Sequence, residues 1–119
     1  DALAAATSRV PDLLSYQAVS LEEDLDRALA QTTGDFTADY QRILEDAVEP
    51  TARKRKISTA AVVSAAGVVS ADRDRGVGPV FLTQTTTAGK AGPAVTGSRV
   101  EVTMVEVDGE WLIAGLDPV

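Results

Sequence analysis

The sequence predicts an α+β fold in which three N-terminal helices cover a four-stranded antiparallel sheet. Three observations carry this reading. Apolar residues over 1–50 recur at three- and four-residue spacings, the period of one helix face. From Ile57 onward the composition turns to Val, Ala, Ser, Thr and Gly, which favours strands. The strand segments are joined by short turn signals, and a run of helices followed by a run of strands argues α+β with an antiparallel meander. Such a sheet buries one face, and the helices supply its cover.

The elements follow in order. Leu3, Ala6, Val10, Leu13 and Leu14 form the first helical face. Pro11 interrupts it, so a kink or a fresh start is expected there, with Pro11 near the first helical position. Ser20-Leu21-Glu22-Glu23 reads as a capping box in which the Ser20 hydroxyl accepts from the Glu23 N–H. Leu21, Leu25, Ala28 and Leu29 continue as the second stripe, and Gly34 can take the left-handed conformation that ends that helix. Thr33 or Asp35 then caps a third helix with Phe36, Tyr40, Ile43, Leu44, Ala47 and Val48 as its buried face, stopped at Pro50 with one more turn through Lys54. A Val-rich strand is expected within Ile57–Ser70, a charged turn at Asp72–Gly76, and a second strand over Val80–Thr87. Ala88–Gly97 holds Gly89, Gly92, Pro93 and Gly97 and reads as a mobile loop. Arg99–Val107 alternates apolar and polar residues until Met104-Val105, where a bulge or burial on both faces is expected. Asp108-Gly109 signals a two-residue hairpin, and Trp111–Leu116 is the returning strand. No internal repeat and no linker is visible, so residues 1–119 read as one domain.

Composition narrows the chemistry. The 119 residues hold no His and no Cys. Nucleophilic catalysis that relies on an imidazole, structural zinc and thiol redox chemistry are therefore excluded. Carboxylates, Lys, Tyr and hydroxyls remain for acid–base work. Residues 1–50 carry eleven acids against three bases, and residues 51–119 carry seven acids against eight bases. An acidic front half repels phosphate backbones and disfavours nucleic acid as a partner. No stretch reaches the roughly 18 apolar residues of a membrane span. The chain starts at Asp1 and its only methionine is Met104. It therefore reads as a processed or a trimmed chain, with a signal peptide, a membrane anchor or another domain expected ahead of it.

Several clusters invite a functional reading. Glu22, Glu23, Asp24 and Asp26 lack the spacing of a calcium loop and read as the solvated start of a helix. Arg53-Lys54-Arg55-Lys56 can meet anionic lipid headgroups or nucleic acid, or simply balance the negative end of the third helix. Asp72-Arg73-Asp74-Arg75 reads as a solvated turn. Thr83–Thr87 can hydrogen-bond a ligand or pair across strands. Trp111 reads as core, with an interface hot spot as the other use. Tyr16 and Tyr40 read as amphipathic residues at the core edge.

The ordered pieces Leu14-Ser15-Tyr16, Leu21-Glu22-Glu23-Asp24, Thr33-Gly34-Asp35-Phe36 with Tyr40, Gln84-Thr85-Thr86-Thr87, Ser98-Arg99-Val100 and Val107-Asp108-Gly109-Glu110-Trp111-Leu112 together resemble the Mce-associated membrane proteins of mycobacteria and related actinobacteria. The resemblance spans about Leu13 to Val119. Asp-Gly-x-Trp before a final strand also occurs in ketosteroid-isomerase-like folds. The resemblance implies a curved sheet of the cystatin-like or nuclear transport factor 2-like cone kind. It implies an extracytoplasmic domain on a single-pass N-terminal membrane anchor, and a role as accessory subunit of the Mce complexes that import lipids or sterols across the cell envelope. Similar domains serve as assembly scaffolds in type IV secretion. Pro11 departs from the uninterrupted first helix of the family.

Two functions follow as expectations. The first is a non-enzymatic scaffold with Mce transport proteins as partners, no cofactor, no metal, and no catalytic residue. A proton-shuttling isomerase of this fold needs an inward carboxylate and a buried oxyanion donor. Glu101 alternates toward solvent, Asp108 and Glu110 lie at the turn, and Glu106 is the least poor candidate because its register depends on the bulge. The second is a cone that holds an apolar lipid or sterol, or acts on one, with room left by Ala60, Ala61, Ala65, Ala66 and Gly67. An exposed strand that can pair edge to edge leaves a homo-oligomer open.

Overall fold

A computed structural model describes residues 1–118. Helix α1 spans Ala2–Leu14, a 3₁₀ turn Ala18–Ser20 leads into α2 at Leu21–Ala30, and α3 covers Asp35–Ile43. A π-helical segment, Leu44–Val48, joins α3 to α4 at Glu49–Arg55. The strands are β1 Ile57–Ala66, β2 Ser70–Ala71, β3 Arg75–Ala88, β4 Ala94–Val107 and β5 Glu110–Pro118. They form one antiparallel sheet in the order β1-β3-β4-β5, with the short β2 also pairing β3. The expected meander is present, and its outer strand is broken into β1 and β2.

α1 continues as one helix through Pro11, so the expected fresh start there is not found. Proline removes the donor for the Thr7 carbonyl. The buried face of Ala6, Val10 and Leu13 holds the helix on the sheet regardless. Pro50 makes no break either, and the further turn expected through Lys54 is present as α4. The Glu49 N–H donates to the Leu44 carbonyl, five residues back. That wider turn places Pro50 in the first turn of α4, where a missing N–H costs nothing. The buried face predicted for this stretch shrinks to Leu44, with Phe36, Tyr40 and Val48 half-buried and Ile43 and Ala47 exposed. Phe36 and Tyr40 pack on the main core and Leu44 and Val48 on the cluster between the helices, so only one narrow stripe finds partners. Gly34 does take a positive φ of 68°, but with ψ −152° and as the residue before α3 rather than as the left-handed end of α2.

The strand boundaries move outward. β3 begins five residues before Val80, and the expected loop over Ala88–Gly97 contracts to a tight connection, with Ala94–Gly97 drawn into β4. The cross-strand partners extend from Arg75↔Val105 to Thr86↔Ala94. The irregularity near Met104 lies on the partner strand: Thr103 pairs Gly115 and Met104 pairs Ile113, which leaves Ala114 as the extra residue. Val105 is half-buried on the opposite face from Met104, so burial on both faces, and not a bulge within β4, accounts for the slip. Asp108 and Gly109 have φ of 50° and 85°, as a two-residue hairpin requires.

The main core joins Val10 and Leu13 of α1 and Ala28 of α2 to Val80, Leu82, Val100, Val102, Met104 and Ile113 of the sheet. Trp111 packs against it half-buried, in line with the core reading. A second cluster gathers Leu21, Leu25, Leu44 and Ala52 between the helices. Two sheet edges are capped by loops. Tyr16 and Thr59 exchange backbone hydrogen bonds of 2.8 Å in both directions. Gln31 and Thr33 bracket Ile113 of β5, at 2.8 and 2.9 Å.

Candidate functional site

The carboxylates weighed from the sequence do not form a site. Glu101, Glu106, Asp108 and Glu110 are all exposed. Glu106 shares the face of Met104 by alternation but lies beyond the buried stretch, and the bulge that was to set its register is on β5. The centre of the helix-covered face is filled by the chain itself, with Val10 and Ile113 at 0% exposure and Leu13 and Met104 at 2%.

Two of the recesses beside that filled centre meet at Tyr16. The smaller, of about 220 Å³, lies between the end of α1, the third helix and the sheet, and is lined by Leu13, Tyr16, Tyr40, Leu44, Gln84 and Thr86 among others. The Tyr40 hydroxyl donates to the Leu13 carbonyl at 3.1 Å. Its ring stacks on Phe36 with centroids 5.4 Å apart. Burial, and to a lesser extent the neighbouring Tyr16, pushes the Tyr40 phenol up to about 12. The folded chain therefore holds this proton more tightly than the unfolded chain. Stability from this group is complete below the ordinary value of 10 and is lost as pH rises from there toward about 12. The alkaline fall in melting temperature is expected to be shallower in Tyr40→Phe than in the parent chain, checked by thermal unfolding above about pH 9.

The larger recess is an open groove of about 520 Å³ between the Ser15–Ser20 segment and β1 and β3, lined by Ser15, Tyr16, Ser20, Ser58, Thr85 and Thr87 together with Asp24 and Arg27. The threonine run is thus split by alternation. Thr86 faces the helices and meets Thr59 across the strands at 3.4 Å, the cross-strand use expected. Thr85 and Thr87 face the groove.

Asp24 organises this corner and corrects the reading of a solvated acidic start. Glu22, Glu23 and Asp26 are exposed, but Asp24 is buried. Its Oδ2 accepts from the Gln17 N–H and from the Ser20 hydroxyl, each at 2.8 Å. Arg27 Nη1 stands 3.3 Å from its Oδ1. Ser20 therefore donates to Asp24 and makes no capping bond to α2. The Asp24 carboxylate reaches back to the Gln17 N–H, ahead of the helix, and the expected capping box is not formed. Burial pushes the Asp24 carboxyl up, but the Gln17 N–H, the Ser20 hydroxyl and the Arg27 charge outweigh it and hold it below the ordinary 3.8. The sign of the pH effect follows. This stabilisation is complete above the ordinary value and is lost as pH falls through the lower folded value. Asp24→Ala is expected to cost about 2 kcal/mol at neutral pH and to flatten the acid limb of the stability profile, measured by urea unfolding between about pH 7 and pH 2.

In the larger recess the Ser20 hydroxyl is held by Asp24, a carboxylate that also accepts from the Gln17 N–H and faces Arg27. Its chemistry is hydrogen bonding through hydroxyls around a carboxylate that is already engaged. Sequence reasoning found the threonines but missed Ser15, Gln17 and Ser58, which spacing alone does not bring together. Arg53–Lys56 are exposed, and the first three form the last turn of α4, at the negative end of a helix as expected.

No family profile matches the chain. The outer membrane protein Rv1973 of Mycobacterium tuberculosis is 38% identical over 119 residues, covering 100% of this chain and 74% of that protein. The chain belongs to the family of that protein. A second M. tuberculosis member, the uncharacterized protein Rv1362c, is 36% identical, and the chain spans 54% of its length. Solved structures share the family's fold at low identity. An IcmL-like type IV secretion system protein from Legionella pneumophila superposes with a TM-score of 0.82 at 10% identity, over 98% of this chain and 90% of that one. VirB8 of Agrobacterium tumefaciens gives 0.75 at 13% identity, over 98% and 88%. An Ntf2-like protein involved in plasmid conjugation gives 0.60 at 13%, over 99% and 47%. These likenesses concern the fold, an α+β domain of helices on an antiparallel sheet.

Proposed function

We propose that this protein is a non-enzymatic accessory subunit of the mycobacterial cell envelope, and that it stabilises or assembles an Mce lipid-import complex. The observation that carries the reading is the packed interior. The face on which an isomerase of this fold would keep its carboxylate is occupied by Val10, Leu13, Met104 and Ile113. What is left to act is the outer surface, which suits a protein that holds others in place. The name of the M. tuberculosis relative supports an envelope location. The likeness to secretion-system proteins supports a scaffold built on the same fold. The proposed placement is extracytoplasmic, with attachment by a single apolar helix. Within the described residues no helix is long and apolar enough to cross a membrane.

The reading is tested by crosslinking in native mycobacterial membranes followed by affinity purification of the tagged protein. Mce transport subunits are expected in the eluate well above an untagged control. Recovery of none of them sinks the proposal.

A second reading rests on the recess beside Tyr40. Its leucines and tyrosines suit part of a lipid or sterol, with the chain acting as a carrier within the same complex. Native mass spectrometry of protein purified from its own membranes is expected to show a bound lipid if this is so, and an unliganded mass argues against it.

A further inference from the structure

The chain has three lysines, Lys54, Lys56 and Lys90. The fold brings all three to one corner, together with Arg55. α4 ends at Arg55, and Lys56 turns the chain into β1 through a left-handed backbone, with φ 54° and ψ 53°. Ile57, the first residue of β1, pairs Ala88 at the end of β3. The Gly89 N–H then donates to the Lys56 carbonyl at 3.1 Å, which seats the turn carrying Lys90 against Lys56. All four cationic residues are exposed. No carboxylate stands within ion-pair distance of any of them among the described residues.

This corner is not the basic run read from the sequence. Arg53 leaves it: its Nε lies 3.2 Å from the Glu49 carboxylate, and it lines a recess with Glu22, Glu23 and Asp26. Lys90 joins it from a distant part of the chain. Three and four residues before Lys54 and Arg55, where a helical ion-pair partner would sit, stand Pro50, Thr51 and Ala52. Residues 50–71 and 75–100 contain no Asp or Glu. A chain of net charge −7 thus leaves its three lysines unpaired among the described residues.

We propose that Lys54, Arg55, Lys56 and Lys90 rest on anionic phospholipid headgroups, a membrane contact made by the folded domain itself. A headgroup phosphate takes a point charge, which is what a lysine offers. The distribution of charge selects a bilayer. A nucleic acid runs along a protein, and here it would meet the eleven acids that residues 1–50 set against three bases. It would also find no aromatic ring to stack on, since residues 49–57 and 88–94 hold none. A bilayer is a plane of fixed phosphates that can touch the corner alone. Apart from Lys90, the Ala88–Ala94 connection is built of Ala, Gly and Pro, small enough to let headgroups approach. The contact belongs in the envelope setting proposed above and needs no Mce partner.

The test is sedimentation of the 119-residue chain with vesicles of equal parts phosphatidylglycerol and phosphatidylcholine at about 50 mM salt. Partitioning well above that onto pure phosphatidylcholine is expected, with loss at about 0.5 M salt. Lys54→Gln and Lys90→Gln are each expected to weaken it about fivefold, and Arg53→Gln about twofold at most. All three side chains are exposed, so the folded state is left intact. In the unaltered protein, acetylation by an amine-reactive reagent should slow at Lys54, Lys56 and Lys90 when these vesicles are present. No preference for the anionic vesicles, or an Arg53→Gln loss as large as that of Lys90→Gln, overturns the proposal. Tighter binding to a DNA duplex at the same salt would assign the corner to nucleic acid and overturn it. Lysine protection that rises with protein concentration alone would assign the corner to the acids of a second copy and overturn it as well. Failure to recover transport subunits while the vesicles still bind would overturn the Mce reading and leave the corner standing. Recovery of those subunits without vesicle binding would do the reverse.

Discussion

Gly78→Ala is expected to destabilise the protein by about 3 kcal/mol, more than most single-methyl changes. Gly78 is buried in β3, where the chain between β1 and β2 lies against it. A Cβ at this position would run into the Gly67 carbonyl oxygen, with the Gly67 carbonyl carbon at 2.9 Å and the Val68 Cα at 3.0 Å. These are backbone atoms, so no flexible side-chain end can move aside. The segment is also pinned, by the Gly67 N–H to the Pro79 carbonyl at 3.0 Å and the Val69 N–H to the Val77 carbonyl at 2.8 Å. Relief requires lifting residues 67–69 from β3 and breaking both bonds. Gly97→Ala is the matched control, since the nearest atom there is 3.9 Å from a new Cβ. Chemical denaturation should show a large loss for the first and less than about 0.5 kcal/mol for the second. Equal effects would mean that the close approach over Gly78 relaxes at no cost.

Leu13→Ala is expected to cost about 3 kcal/mol as well, by the opposite mechanism. Leu13 is 2% exposed and sits where α1 meets both the sheet and the third helix. Truncation removes apolar contact and leaves a cavity beside the recess near Tyr40, which a rigid sheet on one side cannot close. The backbone carbonyl of Leu13 still accepts from Tyr40, so the loss reports packing alone. The denaturant midpoint should fall with the slope unchanged. A cost below about 1 kcal/mol would show that α1 contributes little to holding the sheet.

Much of this fold was legible in the sequence because the signals are local. The helix stripe Leu21, Leu25 and Ala28, the alternation Val100, Val102 and Met104, and the Asp108-Gly109 turn each state a period or a backbone conformation within a few residues. They fail where a distant partner sets the balance. Pro11 and Pro50 read as breaks, but burial of Val10 and Leu13 carries the first helix past one, and a π turn absorbs the other. Gly97 read as loop because glycine has weak strand preference; pairing with Thr83 on a long β3 outweighs that preference. The groove around Asp24 was illegible for the same reason. Gln17, Ser20 and Ser58 meet only once the segment after α1 is laid against β1, and Asp24 looks like any other acid of a helix start until burial singles it out.

Composition and periodicity, which belong to the chain alone, set the order of helices and strands, the hairpin, the alternating face of Val100, Val102 and Met104, and the absence of imidazole and thiol chemistry. The tertiary structure decided what the chain can do with them. It filled the face where a catalytic carboxylate would sit and turned Asp24 into a buried hydrogen-bond acceptor. Those outcomes depend on which surfaces meet, and burial, which only packing creates, sets the energy of every polar group placed there.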